Sequence, residues 1–315
     1  MQETLIREII YNIEKVIIGK ELEIFNILKG ILADGHVLIE DVPGVGKTTL
    51  VKALAKTFSL SYKRIQFTPD LLPSDILGVS IYNQKNGEFE FIKGPIFSNI
   101  VLADEINRTS PKTQSALLEV MEEKQVSEGN ITYKLREPFI VLATQNPIEY
   151  EGTYILPEAQ LDRFIIKVNV GYPNKEYESK MLKLYRNNNP LEDISSVATG
   201  SDLVNLQKKV KDVYVADKIN EYIVNISNAT RNNKYLSLGV SPRGSLALLR
   251  VCQASAFIKG RNYVIPEDIK ENILLVFCHR VTLSSLAKAQ NYKVNEIIED
   301  VLNSVSVPEI EGNIL

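Results

Sequence analysis

One string of residues has the types and spacing needed to bind phosphate groups. DVPGVGKT, residues 41–48, nearly matches the pattern G-x-x-x-x-G-K-[S/T]. Glycines in this pattern let backbone N–H groups approach phosphate oxygens, and the lysine adds a point charge. The hydroxyl that follows the lysine can bind Mg²⁺. The string departs from the pattern at Asp41, where glycine is usual, but aspartate tolerates a positive φ better than most residues.

Two carboxylates follow about 50 residues later, at the end of the string IVLADE (residues 100–105). An apolar run that ends in Asp-Glu predicts a buried strand with both carboxylates at its carboxyl end, where open α/β sheets bind ligands. We expect Asp104 to hold the water shell of Mg²⁺ and Glu105 to orient an attacking water molecule. The alternative is that the pair only caps a helix.

Three further polar residues are candidates for the same site. Asn146 ends the string ATQN and could help to hold the water beside Glu105, although by composition it is a turn residue. Arg163 lies in LDRF, and Arg243 lies in SPR, where Ser241 and Pro242 predict the start of a helix. A helix amino terminus disfavours a cation, which suggests that Arg243 serves an anion. On pattern alone, both arginines are more often surface salt-bridge formers.

The elements that must position these residues follow from hydrophobic periodicity. The first ~170 residues alternate strand and helix signals, which predicts a parallel sheet with crossover helices. A helix is predicted at 48–58. The predicted strands are short and lack polar alternation, so we expect both of their faces to be buried. They cover residues 36–39, 62–67, 100–103, 139–144 and 165–170.

Two β-hairpins interrupt this pattern, and helices follow it. The hairpins are predicted at 79–83 with 88–92 and at 125–127 with 131–135; we expect Phe89 and Phe91 to form a packing face on the first. The later helices are predicted at 177–185, 202–210, 218–229, 242–258, 266–276 and 294–302. With a linker loop at 187–190, the chain divides into an α/β domain at 1–190 and an all-α domain at 191–315.

Composition excludes several classes of protein. The 315 residues are 44% apolar and 24% charged, which is ordinary for a globular chain and rules out disorder. A net charge of −3 argues against electrostatic DNA binding. Two cysteines and two distant histidines provide neither a disulfide framework nor a metal cluster. The first 17 residues predict an amphipathic helix rather than a signal peptide, and no apolar run reaches the ~20 residues of a membrane span. We therefore expect a cytoplasmic protein.

Long strings of this sequence resemble the MoxR family of AAA+ ATPases, within the clade that carries a hairpin insert in its second helix. The resemblance covers nearly the whole chain, and MoxR loops commonly show Asp or Gly at the place of Asp41. The resembling strings are GHVLIEDVPGVGKTTL (35–50), QFTPDLLPSDILG (66–78), ADEINRTSPKTQSALLEVMEEKQV (103–126), LATQNPIEYEGTYILPEAQLDRF (142–164) and GYP (171–173).

The resemblance implies a role for each matching residue. Asp104 and Glu105 match the Walker B pair, and Asn146 matches sensor 1. Arg163 matches the arginine finger, which acts on the nucleotide of a neighbouring subunit, and Arg243 matches sensor 2 in the helical lid. The Mg²⁺ ligands would be Thr48 and Asp104. The nucleotide-binding set comprises the loop and a short segment that packs on the adenine: Val42, Pro43, Gly44, Val45, Gly46, Lys47, Thr48, Thr49, Ile18 and Gly19.

The family likeness also implies cofactors and partners. It implies ATP and ADP with Mg²⁺, and a homo-oligomeric ring, usually a hexamer. Family members act as chaperone-like motors that mature client proteins or insert cofactors into them, often with a von Willebrand factor A-domain protein. No specific nucleic acid and no membrane span are expected.

Three other functions remain open at this point. A DNA-associated motor of the same clade would need cations along its hairpins, where the sequence offers Lys85, Lys93, Lys134 and Arg136 among several acids. A metal-chelatase motor subunit shares the motifs but resembles the strings less. A nucleotide-dependent switch without turnover would need none of Glu105, Asn146 and the two arginines.

Overall fold

The fold of the chain is that of a computed structural model, which describes residues 2–40, 44–85, 87–146, 153–186 and 189–309. Asp41, Val42 and Pro43 of the predicted phosphate loop lie outside the described residues, as do residue 86 of the first hairpin turn and residues 187–188 of the predicted linker. The strands are β1 His36–Glu40, β2 Tyr62–Gln66, β3 Gly78–Asn83, β4 Glu88–Lys93, β5 Ile100–Asp104, β6 Gln125–Glu128, β7 Ile131–Lys134, β8 Ile140–Gln145, β9 Phe164–Val168, β10 Leu236–Leu238 and β11 Thr282–Leu283.

The described residues also contain thirteen α-helices, of which the first two precede β1. The last six form the helical carboxyl-terminal region that the sequence predicts. The helices are α1 Gln2–Glu14, α2 Glu21–Leu32, α3 Lys47–Thr57, α4 Pro73–Leu77, α5 Pro111–Glu123, α6 Glu158–Leu161, α7 Lys175–Leu184, α8 Gly200–Lys211, α9 Asp217–Arg231, α10 Pro242–Ile258, α11 Pro266–Phe277, α12 Ser285–Ala289 and α13 Val294–Ser304.

A five-stranded sheet has the order β2-β5-β8-β1-β9. The pairs β2/β5, β5/β8 and β8/β1 are parallel, which confirms the predicted sheet. Central strands β1, β5 and β8 are buried along nearly their whole length, as apolar runs between crossover helices should be. Because parallel strands run in the same direction, the carboxyl ends of β1, β5 and β8 share one end of the sheet.

Strand β2 corrects the expectation that every strand is buried on both faces. In β2 only Ile65 is buried, and Lys63 and Arg64 are exposed. β2 is an edge strand and, among the described strands, pairs with β5 alone. An edge strand tolerates charged side chains, which also discourage pairing with another chain.

Both predicted hairpins form, as β3–β4 and β6–β7. Phe91 packs as expected, because its ring stacks on that of Tyr133 at 4.6 Å between centroids. Phe89 does not pack as expected, since 75% of it is exposed and its ring contacts only Tyr82 edge-to-face at 5.4 Å among the described aromatic pairs. It lies next to the turn between β3 and β4.

The chain forms two compact units that are interleaved in the sequence. The first comprises Met1–Leu28, His36–Leu156 and Val168–Asn205, and the second comprises Lys29–Gly35, Pro157–Lys167 and Leu206–Leu315. In the first unit, the predicted amphipathic helix α1 buries Ile6, Ile9 and Ile13. No helix in the described ranges has the length and apolar character that a membrane crossing requires.

The second unit is mainly helical and contains a two-stranded ribbon, β10–β11, that the sequence pattern does not predict. Its core includes a buried cation, since Lys29 is 3% exposed and donates to Asn272 Oδ1 at 2.8 Å. Burial lowers the pKa of Lys29 to about 8. Other groups that act on this pKa are Glu271, Lys259, Cys252 and Asp268.

We expect the buried Lys29 to make the free energy of unfolding increase as the pH rises above about 8. Because its folded pKa lies below the ordinary 10.5, the unfolded chain binds more protons between about pH 8 and 10.5. This contribution to stability is therefore weakest below pH 8 and rises with pH. The difference in free energy of unfolding, wild type minus Lys29→Met, should increase by about 2–3 kcal/mol between pH 7 and pH 10.

Denaturant titration at several pH values measures this difference. Lys211→Met serves as the control, because it removes a half-exposed lysine from the same unit. A wild-type-minus-Lys29→Met difference that stays constant with pH would contradict the prediction.

Candidate functional site

The phosphate-binding loop has the backbone conformation that its glycines predict. Gly44 and Gly46 have φ of +87° and +84°, in the left-handed region that favours glycine. A Cβ added to either glycine would meet no described atom within 4 Å, so the loop faces open space. Gly46 caps α3, whose first residue is Lys47 and whose amino-terminal N–H groups attract anions. The described part of the loop therefore fits phosphate oxygens.

The carboxylates and the phosphate-binding loop lie at or after the carboxyl ends of strands that terminate at the same end of the sheet. Ile39 of β1 lies level with Thr144 of β8, and Ala103 of β5 lies level with Ala143. Strands β1 and β5 therefore end on either side of the end of β8. This shared end of the sheet explains why motifs about 50 residues apart can serve one ligand.

Asp104 is held by two neighbours at this edge. Its Oδ1 accepts a hydrogen bond from Thr144 Oγ1 at 2.6 Å. Its Oδ2 accepts from Arg64 Nε at 3.0 Å and from Nη2 at 2.6 Å. The hydrogen bonds therefore fix the orientation of the carboxylate, as a group that holds the water shell of a metal ion requires.

Glu105 has an unusual backbone conformation for a residue that is not glycine. Its φ is +59°, and its N–H donates to Thr144 Oγ1 at 2.8 Å. The carboxylate accepts from Gln66 Nε2 at 2.8 Å and lies 3.4 Å from Arg108 Nε. Strained backbone of this kind costs free energy and is common at functional sites.

Asn146 is 5% exposed and follows β8 directly. Its carbonyl oxygen accepts from Asn107 Nδ2 at 3.3 Å, which ties it to the turn after Glu105. Among the described residues, Asn107 Oδ1 and Gln145 Oε1 are buried and have no hydrogen-bond partner. These polar atoms leave hydrogen-bonding capacity at the end of β8 and in the turn after Glu105.

A cavity of about 630 Å³ in the first unit opens beside the loop. This volume is in the usual range for small-molecule sites. One part is lined by the loop residues Gly44, Val45, Gly46 and Thr49. The other is largely apolar and is lined by Val16, Ile17, Ile18, Tyr172, Met181, Leu182 and Tyr185. A phosphate end next to an apolar end is the arrangement that a nucleotide requires.

The walls of the apolar part are fastened to each other. Lys20 Nζ donates to the carbonyl oxygens of Val170 and, at 3.1 Å, of Tyr172. Gly19 has a φ of +71°, and a Cβ there would lie 2.3 Å from the Tyr177 ring. The segment predicted to pack on adenine is therefore in close contact with α7 and the stretch before it.

Comparisons with known proteins agree with this geometry. The chain matches the family described as ATPase family associated with various cellular activities (AAA) over residues 36–166, and the AAA lid domain over residues 228–301. It is 51% identical to the uncharacterized protein YeaC of Bacillus subtilis, over 96% of this chain and 95% of that one. It is 41% identical to the chaperone MoxR1 of Mycobacterium tuberculosis, over 96% of this chain and 82% of that one.

The chain belongs to the MoxR family of AAA+ ATPases. A crystal structure described as a candidate ATPase of Cytophaga hutchinsonii has the same fold, with a TM-score of 0.91 and 43% identity over 98% of this chain and 96% of that one. The predicted fold class and family are thereby confirmed.

Two residues with predicted roles in the MoxR site belong to the second unit. Arg163 is half-buried and follows α6, and Arg243 is exposed in the first turn of α10. The other described candidates lie together in the first unit: Ile18, Gly19, Gly44, Val45, Gly46, Lys47, Thr48, Thr49, Asp104, Glu105 and Asn146.

Sequence reasoning missed several residues of this MoxR site. Arg64, Gln66 and Thr144 contact the two carboxylates. Gln66 and Thr144 lie within strings that resemble the family, but neither was assigned a role, and Arg64 lies outside those strings. The apolar residues of α7 that line the cavity were predicted only as part of a helix. Only the parallel pairing of β2 with β5, at Gln66 and Asp104, could have pointed to the polar residues of β2.

Proposed function

We propose that this MoxR protein hydrolyses ATP in a Mg²⁺-dependent reaction and uses the energy to remodel a protein partner. The observation that supports this most is the open loop with left-handed Gly44 and Gly46, at the sheet edge where Asp104 and Glu105 also lie. A passive nucleotide switch would need no second carboxylate held beside the first.

Each residue has a chemical task in this proposal. The loop N–H groups and Lys47 bind the β- and γ-phosphates, and the apolar part of the cavity accepts the base, with Ile18 and Gly19 on one wall. Thr48 and Asp104 would hold Mg²⁺, which neutralises phosphate charge when bound. Glu105 accepts a hydrogen bond from the attacking water and orients it, with Asn146 beside it. Arg163 and Arg243 stabilise the charge that develops on the γ-phosphate.

The assembly that we propose is a homo-oligomeric ring, with six subunits as the expected number, located in the cytoplasm. Its clients are proteins that it matures or into which it inserts a cofactor. A von Willebrand factor A-domain protein is the expected adaptor. We keep the division into a nucleotide-binding domain at 1–190 and a lid at 191–315 as part of this proposal.

Steady-state ATPase turnover, measured with and without double-stranded DNA, tests the proposed activity. We expect Mg²⁺-dependent turnover that DNA does not stimulate. DNA stimulation would favour the DNA-associated motor. Lys93 is one of the hairpin cations that such a motor would use. Its Nζ lies 5.1 Å from the ring centroid of Phe97 and 5.9 Å from that of Tyr133, so it already contacts aromatic rings of the protein. Absence of turnover in an assembled protein that binds ATP would favour the switch.

We expect Lys47→Ala to weaken ATP binding by about 10–100-fold. Charged hydrogen bonds to phosphate contribute about 1.5–3 kcal/mol, which corresponds to that change in affinity. Titration calorimetry measures it, and Lys52→Ala is the matched control because Lys52 is exposed on the same helix. Equal ATP affinity of Lys47→Ala and the wild type would exclude this role for Lys47.

A further inference from the structure

A buried arginine of the second unit holds the backbone on both sides of Arg163. The side chain of Arg280 is 2% exposed. Its Nη2 donates to the carbonyl oxygens of Asp162 at 3.3 Å and Phe164 at 2.5 Å. Its Nη1 donates to the carbonyl oxygen of Ile165 at 3.1 Å. Arg280 therefore binds three backbone carbonyl groups of the turn that carries Arg163.

The same guanidinium forms an ion pair with Asp162, the neighbour of Arg163 in the sequence. Arg280 Nε donates to Asp162 Oδ1 at 2.7 Å. The second oxygen, Asp162 Oδ2, accepts from Ser241 Oγ at 2.8 Å. One carboxylate thus connects Arg280 to the residue that caps α10.

Ser241 begins the turn that carries Arg243. Its Oγ also accepts from the N–H of Gly244 at 3.1 Å, so Arg243 lies within the capped turn. A Cβ added to Gly244 would lie 2.9 Å from Arg280 Cδ, which shows how closely the aliphatic stem of Arg280 packs on this turn. Arg280 therefore contacts the turns of both arginines.

Charge supports the same connection. Burial lowers the pKa of Arg280 to about 10, Asp162 opposes this, and the nearby charge of Arg243 lowers the pKa further. At neutral pH the guanidinium remains charged, so Asp162 is needed as its counter-ion. A buried charge of this kind is costly unless it is paired and hydrogen-bonded.

We propose that Asp162 and Arg280 are positioning residues that hold Arg163 and Arg243 in one rigid arrangement. Both guanidinium groups then keep the positions from which they stabilise γ-phosphate charge. The inference rests on the proposed ATPase function and on the roles of the two arginines. It goes beyond them because neither Asp162 nor Arg280 is assigned to the reaction by any motif. Misplacement of a reacting group by about 1 Å can cost on the order of 10²-fold in rate.

A double-mutant cycle tests this proposal. Asp162→Asn keeps the shape and the acceptor for Ser241 but removes the counter-ion of Arg280. We expect turnover to fall by about 10²-fold while ATP affinity stays unchanged. In an Arg163→Ala/Arg243→Ala background, measured by single turnover, Asp162→Asn should cause no further loss. A purely structural role would lower turnover by the same factor in both backgrounds.

Asp268→Asn is the matched control. Asp268 is a buried aspartate of the same unit whose Oδ1 accepts from Arg261 Nη2 at 2.5 Å. We expect it to lower the melting temperature without coupling to Arg163 or Arg243. If Asp162→Asn does not fold, Ser241→Ala breaks the connection at its other end, and its loss of turnover should disappear in the Arg243→Ala background.

Each outcome has a separate meaning. Equal fold-losses in the two backgrounds would overturn the positioning role and leave the ATPase proposal intact. Wild-type turnover in both Arg163→Ala and Arg243→Ala would overturn it too, because there would be no arginine function to position. A wild type without any turnover would instead overturn the proposed function, and this inference with it.

Discussion

Arg163→Ala is expected to bind ATP with the affinity of the wild type and to hydrolyse it about 10³–10⁵-fold more slowly. A guanidinium is charged at neutral pH and can bind phosphate oxygens through two N–H groups at once. Family resemblance assigns Arg163 to the nucleotide of a neighbouring subunit, so its loss should affect chemistry more than binding. Arg250→Ala is the control, since Arg250 is an exposed arginine of the same unit.

Mixing two impaired variants, at an ATP concentration too low to fill the Lys47→Ala loop, tests whether Arg163 acts across a subunit interface. In a ring made of Arg163→Ala and Lys47→Ala subunits, some sites combine an intact loop with an intact arginine from the neighbour. ATPase rate should therefore rise above the sum of the two parents and reach a maximum at an intermediate mixing ratio. If mixed rings assemble and the rate never exceeds that sum, Arg163 does not act in trans.

Glu105→Gln is expected to retain ATP binding and to lose about 10²–10⁴-fold in turnover. The amide keeps the shape of the side chain, and its oxygen can still accept the hydrogen bond from Gln66 Nε2. It cannot accept a proton from water, so only the chemical step should suffer. The measurements are nucleotide affinity by calorimetry and phosphate release over time.

Glu119→Gln provides the comparison for Glu105→Gln, because Glu119 is exposed on α5. Near-normal hydrolysis by Glu105→Gln would show that another group orients the water. A loss of ATP affinity equal to the loss of turnover would show that Glu105 serves binding instead. Either result would end the assignment of Glu105 as the residue that activates water.

The fold could be predicted where local pattern and burial agree. The strands of the sheet core are apolar runs bounded by turn signals, and Pro242–Ile258 has both a capping serine and an apolar face. The phosphate loop and the carboxylate pair could be predicted because their chemistry requires fixed residue types at fixed spacing. Strand β2 was misjudged because its edge position depends on the order of the strands, which no local pattern encodes.

The supporting contacts of the site could not be predicted, because they join residues that are far apart in the sequence. Arg64 reaches Asp104 across a strand pair, and Arg280 reaches Asp162 across 118 residues. Arginine is ordinarily a surface residue, and nothing in the string FCHR indicates burial of Arg280. Such contacts arise from tertiary packing, so they appear only once the chain is folded.

The interleaving of the two compact units has a consequence for any attempt to dissect this protein. The chain passes between the units five times, after Leu28, Gly35, Leu156, Lys167 and Asn205. A fragment that ends at residue 190 would keep Asp162, Phe164 and Ile165 but lose Arg280, leaving a carboxylate and carbonyl groups without their donor. Neither this fragment nor the remaining residues 191–315 should fold by themselves. The proposed ATP-binding residues and the arginines that respond to ATP should therefore be exchangeable between relatives only together.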